Sequence, residues 1–518
     1  MPRTENKNGL TFPLGGGVVM TQEIVSAKLK LGVVGGLGPL ASADVFFKLV
    51  QATPASTDAD HFDVIFEQHP FRKSGLESIA TTERKLYIFD MIRDFERRGV
   101  TTVVLPCFLS HTFITELKAN TTLQIVDIVE AVRNHVRRKF PRANRIGVLA
   151  STYTRNERLF ERYFTSPEFE IVHPRQHEGI DLVNEAVYGS DGIKSGSLRG
   201  RPVLLLRQAC EDLIKQGVQI IVPGMTELAL VADQIGHLSV PMIDANSVYA
   251  RYVVSGRYEI PKPVFKIGIV GGVGPAATVD FLQEIVRHTP AKRDQDHIRL
   301  LVEHNPQIPD RTEHLIAGGA DPTISLYATC KKLEEGDADI IAIPCNTAHA
   351  FVERIQPYLA IPIVNMLTVT VRLLREMFPT LRCVGLLATS GTLESRVYEK
   401  ELALQGFGQV VPDEALQVRV MESIYGEFGV KAGFTDGQCQ EDITAAVEGL
   451  IARGVEVIIL GCTELPLLLP ATEFIGRDGA CVKLINPTSV LAQHCVHHAL
   501  SATQLSRSSD FKQAPSTV

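Results

Sequence analysis

Cys345 and Cys462 are the residues of this sequence whose surroundings favour chemistry over packing. Each follows a continuously apolar run, Ile340-Ile341-Ala342-Ile343 in one case and Val457-Ile458-Ile459-Leu460 in the other. Each then opens a polar segment, Pro344-Cys345-Asn346-Thr347-Ala348-His349 or Gly461-Cys462-Thr463-Glu464. That pattern reads as a strand end followed by a helix start. A thiol at a helix N-terminus meets unpaired N–H groups and the positive end of the helix dipole, which draws its pKa from about 8.5 towards neutrality. Both cysteines are therefore expected to be partly thiolate at neutral pH. A thiolate and a thiol make an acid/base pair, one removing a proton while the other returns one. Cys330, Cys383, Cys439, Cys481 and Cys495 read instead as small hydrophobes. A metal reading also exists, because Cys345 and His349 stand four residues apart with Cys462 available to complete a site. No spaced third nitrogen or carboxylate ligand is evident, so no metal is expected, and His349 is read as a capping or orienting group.

The elements that must position these thiols come twice. Leu31–Pro39 (LGVVGGLGP) returns as Ile267–Pro275 (IGIVGGVGP), and Val104-Leu105-Pro106-Cys107 returns as Ala342-Ile343-Pro344-Cys345. Gly147–Ala150 returns as Gly385–Ala388, and Pro223–Glu227 as Leu460–Glu464. The four offsets are 236, 238, 238 and 237 residues, in one order, so the chain is a tandem duplication. Short β-branched runs alternating with helical patterns predict parallel α/β sheets with right-handed crossovers, ligands lying beyond the carboxyl ends of the strands. The expected layout is a flexible segment at 1–28, a first domain at 29–256, a linker at 257–264 containing Pro261 and Pro263, a second domain at 265–502 and a flexible tail at 503–518.

Composition narrows the class. The chain has 518 residues, 45% hydrophobic, with 52 basic against 59 acidic side chains and a net charge of −7, which argues against nucleic acid as the main partner. Nine cysteines, unevenly placed, do not form a disulfide framework. No apolar run approaches the roughly 20 residues of a membrane helix. Pro13 and Gly15–Gly17 break the patch Phe12–Met20, so no signal peptide is expected. The reading is a cytoplasmic protein with free thiols and no membrane partner. The turns Gly35–Pro39 and Gly271–Pro275 lack the third spaced glycine and the distant acid of a dinucleotide site, and are read as tight βα turns beside a cleft.

With Pro344–His349, Gly461–Glu464, Gly271–Pro275 and Asn305-Pro306-Gln307-Ile308-Pro309-Asp310-Arg311-Thr312 in view, the sequence resembles the aspartate/glutamate racemase superfamily, and within it the aspartate racemase type. Glutamate racemases look similar but carry His after the Cys-Thr pair, where Glu464 stands here. The resemblance covers most of the second half closely and the first half more loosely. It implies two α/β lobes per half with the active site between them, and cofactor-independent racemisation of an amino-acid substrate. Cys345 and Cys462 would flank the α-carbon of aspartate, with glutamate as a second acidic substrate. Asn346, Thr347 and Thr463 would hold the α-carboxylate, Arg311 and Lys431 the side-chain carboxylate, with Gly272 beside the substrate and His349 and Glu464 in support. The same scaffold supports decarboxylases, hydantoin racemases and cis–trans isomerases. The alternative from another class is a non-catalytic amino-acid-binding regulatory protein.

The first half departs from that pattern. Cys107 and His111 remain, but Phe108-Leu109 replaces Asn346-Thr347 and Met225 replaces Cys462. A thioether has no ionisable proton. His69-Pro70-Phe71-Arg72-Lys73-Ser74 lacks the Pro-Asp-Arg-Thr of the second half, whereas Lys194 still answers Lys431. The first half is expected not to racemise, and to act as a structural partner in a pseudo-dimer within the chain or to bind a different ligand. An exposed edge would still allow a homo-oligomer.

Overall fold

A computed structural model describes residues 30–69, 77–256, 258, 264–477 and 479–510, with 77–80 and 503–510 as backbone only. The segment expected at 1–28, most of the 257–264 linker, and the Pro70–Ser74 part of the loop that answers Asn305–Thr312 lie outside the described residues. The chain divides into two compact units, Met1–Pro261 and Lys262–Val518.

The N-terminal unit holds two parallel sheets. Strands β1 (Lys30–Val34), β2 (Asp63–Glu67), β3 (Thr102–Val104) and β4 (Gln124–Val126) form the first, in the order β2-β1-β3-β4. Strands β5 (Arg145–Leu149), β6 (Glu170–Val172) and β7 (Ile220–Pro223) form the second, in the order β6-β5-β7. All of these pairings are parallel. β3, at the interior of its sheet, is buried at every residue, and so are β4 and β7 at the ends of theirs, as strands covered on both faces must be.

The C-terminal unit repeats the plan. Its first sheet combines β8 (Lys266–Gly271), β9 (Arg299–His304), β10 (Ile340–Ala342) and β11 (Ile363–Val364) in the order β11-β10-β8-β9. Its second combines β12 (Cys383–Leu387), β13 (Gly408–Val410), β14 (Val457–Leu460), β15 (Glu473–Ile475) and β16 (Cys481–Ile485) in the order β13-β12-β14-β16-β15. The edge pair β15–β16 is antiparallel. The expected α/β class of two racemase-like halves with two lobes each is the architecture found.

Local rules explain the crossovers. After β1 and β8 the chain turns through glycines and enters a helix on proline, Pro39–Ala52 and Pro275–His288, where the missing N–H has no intrahelical partner to lose. The helix Ile128–Lys139 is capped by Asp127, which accepts from Val129 and Glu130 N–H, and buries Val129, Val132 and Val136 on one face. Asn365 caps the corresponding helix Met366–Met377 in the same way. The last helix runs from Pro487 to Asp510, past residue 502. No helix among the described residues is long and apolar enough to cross a membrane.

Candidate active site

In the C-terminal unit, the loops leaving β10 and β14 carry Cys345 and Cys462 to one cavity. Arg311, Asn346, Thr347, Lys431, Thr463 and Glu464 border it too, so eight of the ten residues singled out in the sequence share one lining. Val273, Thr312, Thr389 and Tyr425 complete it. Two predicted residues stand elsewhere. Gly272 is the pivot of the turn after β8, at φ +85°, where a Cβ would lie 2.5 Å from the Asn305 carbonyl carbon; it shapes the turn and leaves the lining to Val273. His349 lies behind the loop. Its Nδ1 pairs with the Cys345 carbonyl at 2.9 Å and its Nε2 accepts the Met366 N–H at 3.0 Å, which fixes the tautomer and ties the Cys345 loop to the next helix. Burial holds its pKa below the usual value. Both ring nitrogens are engaged, so a metal could be ligated only by breaking one of these bonds.

The thiols differ from expectation. Cys345 precedes a three-residue turn and its helix starts at His349, while the helix after Cys462 is only the four residues Leu465–Leu468. A single helical turn supplies little of the dipole that was expected to draw the thiol down. Burial, and then the Glu464 carboxylate, push the Cys462 thiol well above its ordinary pKa. Cys462 is thus a protonated thiol at rest, its Sγ donating to Glu464 Oε2 at 3.0 Å. Burial resists the charge on Glu464, but Lys431, at 3.1 Å, and the donors Cys462 and Thr463 outweigh it and keep the carboxylate ionised. The Lys431 ammonium is correspondingly held above its ordinary range: burial works against it, and Glu464, Cys462 and Tyr425 overcome that.

On the Cys345 side the site is donor-rich. Arg311 is 7% exposed and its guanidinium bonds the Ile308 and Pro309 carbonyls at 3.3 and 3.0 Å. Burial opposes its charge, yet the contacts with Cys345, Asp310 and Tyr425 raise its pKa. Its Nε has no hydrogen-bond partner, and neither does Nδ2 of Asn346, which is 2% exposed. Tyr398 explains the second case: its hydroxyl donates to Asn346 Oδ1 at 2.7 Å, so the amide is held with its NH2 unpaired. Buried donors left unpaired are costly, about 1–3 kcal/mol each, and mark where an acceptor is meant to arrive.

A hydroxyl cluster buttresses this side. Thr347 Oγ1 lies 2.7 Å from Thr392 and 3.2 Å from Thr389, and Thr312 lies 3.2 Å from Thr389. Gly391 permits it, because a Cβ there would sit 2.7 Å from Thr312 Cα. Sequence reasoning missed Tyr398, Thr389, Thr392 and Tyr425. One signal was available: Ser151 and Thr154 stand 238 residues before Thr389 and Thr392, a hydroxyl pair kept in both halves.

Comparison with known proteins places the chain in a family. The sequence profile of the Asp/Glu/Hydantoin racemase family matches residues 34–253 and again 270–495. The chain belongs to that family, twice over. The broad-specificity amino-acid racemase RacX of Bacillus subtilis (strain 168) is 27% identical over 219 residues, 39% of this chain and 87% of that one. An uncharacterized protein in the pnlA 3′ region of Pectobacterium carotovorum subsp. carotovorum is 44% identical over 86 residues, 17% of this chain and 55% of that one. That match thus spans about half of the relative's length. Among solved structures, the aspartate racemase of Picrophilus torridus is 30% identical, with 45% of this chain and 94% of that one covered, at a TM-score of 0.39.

The N-terminal member keeps the framework and changes the chemistry. His111 Nδ1 pairs with the Cys107 carbonyl at 2.8 Å and its Nε2 accepts the Ile128 N–H at 3.1 Å, repeating the His349 clamp. Lys194 pairs with Glu227 at 2.5 Å, repeating Lys431 and Glu464. Met225 lines the cavity in the place of Cys462, 6% exposed.

Proposed function

We propose that the C-terminal unit racemises an acidic amino acid, aspartate and with it glutamate, without a cofactor, by moving a proton across the α-carbon between Cys345 and Cys462. The observation that carries the reading is two thiols on one cavity with a buried guanidinium and an unpaired amide donor beside the first, and a carboxylate–ammonium pair beside the second.

Inversion needs a base on one face and an acid on the other. In the direction that begins with Cys345 as base, Cys462 is already the acid: its proton goes to the α-carbon as Cys345 takes the original one. In the other direction Cys462 must first lose its proton, and Glu464 is the acceptor within reach at 3.0 Å. The α-hydrogen of an amino acid is a very weak acid, so the charge that develops on the carboxylate must meet donors already in place. Asn346 Nδ2 is such a donor, fixed by Tyr398. Lys431 and Arg311 favour a substrate with a second carboxylate. The cavity has room for about 10 Å³, about one water. Substrate entry therefore requires the loops of the two sheets to part, and reclosure excludes solvent from the reacting carbon.

The N-terminal unit is read as non-racemising, because a thioether stands where the second acid/base group is required. The test is chiral analysis of L- and D-aspartate with the wild-type chain, Cys345→Ser, Cys462→Ser and Cys107→Ser. The reading requires each of the first two substitutions to abolish turnover and the third to leave it. A silent amino-acid-binding protein would show no racemisation in any of them.

A further inference from the structure

The two units have exchanged side chains at two places. The first is the cleft, where Asn346 and Tyr398 answer to Phe108 and Phe160, 238 residues earlier, whose rings lie 5.5 Å apart. The second shares no residue with that cleft. It is a cavity of about 280 Å³ in the N-terminal unit, set between the helices Ile128–Lys139 and Ala245–Ser255. The cleft of the same unit has about 180 Å³, and that of the C-terminal unit about 10 Å³.

Ala131 and Val248 give this cavity an apolar side, and Asn134, His135, Arg138 and Arg251 a polar one. The lining holds no acid. Glu130 lies just outside it, and its carboxylate already accepts from Tyr252 Oη at 3.0 Å. Arg137, next to Arg138 in the chain, pairs with Glu168. Arg138 and Arg251 make no hydrogen bond or ion pair among the described residues. Both charges are felt at His135, whose imidazole is held below the ordinary 6.5 by burial first, and then by Arg251, Arg138 and Lys139. Like charges gathered without a counter-charge repel one another, and a bound anion would offset that cost.

Helix electrostatics accounts for only one of the two cations. Arg138 stands in the last turn of its helix, where the free carbonyls favour positive charge. Arg251 stands outside the last turn of the other. Nor does the pair belong to the plan common to both units. Counted from the capping residues Asp127 and Asn365, Arg138 answers to Glu376 and His135 to Leu373. Counted from Asp244 and Asn486, Arg251 answers to Gln493. The same helices thus carry an acid and an amide in one unit and two guanidinium groups in the other.

We propose that this cavity binds a small phosphate monoester, its phosphoryl dianion held by Arg138 and Arg251 and its organic group on the side of Ala131 and Val248. Guanidinium forks match phosphate oxygens, and a dianion neutralises both charges where a monocarboxylate would leave one uncompensated.

The test is equilibrium dialysis of the full chain against radiolabelled glycerol 3-phosphate in about 0.15 M salt, where exposed charges more than about 8 Å apart are largely screened. The expected result is a single saturable site, weakened roughly tenfold or more by Arg251→Gln and by Arg138→Gln, as loss of a charge-assisted hydrogen bond does. Lys139→Gln, which removes a charge near the cavity but outside its lining, should change it less than about twofold. Unlabelled sulfate should displace the label, and acetate at the same concentration should not. No saturation up to about 10 mM would overturn the proposal. So would unchanged binding in Arg251→Gln, a loss in Lys139→Gln equal to that in Arg251→Gln, or displacement by acetate as effective as by sulfate. The sulfate and acetate comparison uses the unaltered chain, so it decides the matter even if a variant fails to fold. The readout is binding and involves no turnover, so this site and racemisation by the C-terminal unit stand or fall separately.

Discussion

The two clefts share their scaffold and differ in what faces the ligand. In both, a buried histidine clamps the cysteine loop through the same two backbone groups, His111 with Cys107 and Ile128, His349 with Cys345 and Met366. In both, a lysine and a glutamate pair beside the second strand end. Both linings keep hydroxyls, Ser151 and Thr154 in one and Thr389 and Thr347 in the other, yet Phe108 and Leu109 stand where the second unit has Asn346 and Thr347, and Met225 stands in the place of Cys462. Groups that satisfy the backbone are held by the fold, because leaving a buried N–H or carbonyl unpaired costs stability in either unit. Groups aimed into the cavity answer only to a ligand and can change with it.

The largest expected effect on that contrast comes from the thiols. Cys345→Ser and Cys462→Ser should each lower racemisation by about 10²–10⁴-fold, the range for losing a general acid or base, while Cys107→Ser changes it less than about twofold. Arg311→Met should follow, costing roughly 10- to 100-fold in kcat/KM for aspartate through loss of a charge-assisted bond.

The Tyr398–Asn346 pair gives a smaller and more diagnostic effect. Tyr398→Phe should lower turnover about tenfold by releasing the amide, with stability changed by about 1 kcal/mol. In the other unit, Phe160→Tyr alone should destabilise by about 1–3 kcal/mol, since it buries a hydroxyl against Phe108. Adding Phe108→Asn should recover part of that loss, measurable as coupling in a double-mutant cycle of denaturant unfolding.

Acid should affect the two units alike. His111 and His349 are buried and neutral, each with its pKa below the ordinary 6.5, by burial first in both cases. The unfolded chain takes up protons below about pH 6.5 and the folded chain does not. Their stabilisation is therefore complete above that pH and lost as pH falls towards the folded values. Thermal melts should show the midpoint falling below about pH 6.5, with the fall reduced in His111→Gln and His349→Gln.

Much of this was legible in the sequence, for identifiable reasons. The duplication, the parallel strands and the Cys345 and Cys462 loops announce themselves through contiguous patterns. What was illegible depends on distance along the chain. Tyr398 meets Asn346 across 52 residues, and Thr347 meets Thr392 across 45, and no local period encodes either contact. The expected thiolate at Cys462 failed because dipole reasoning took account of neither burial nor the carboxylate two residues on.

The central claim is that two groups, one on each face, exchange the proton. Racemisation of L-aspartate in D2O, followed early by mass spectrometry of the separated enantiomers, tests it most directly. Two thiols predict D-aspartate carrying solvent deuterium at the α-carbon while the remaining L-aspartate keeps its protium. Early D-aspartate that retains the original protium would mean that a single group carries the proton from face to face, and would contradict the account.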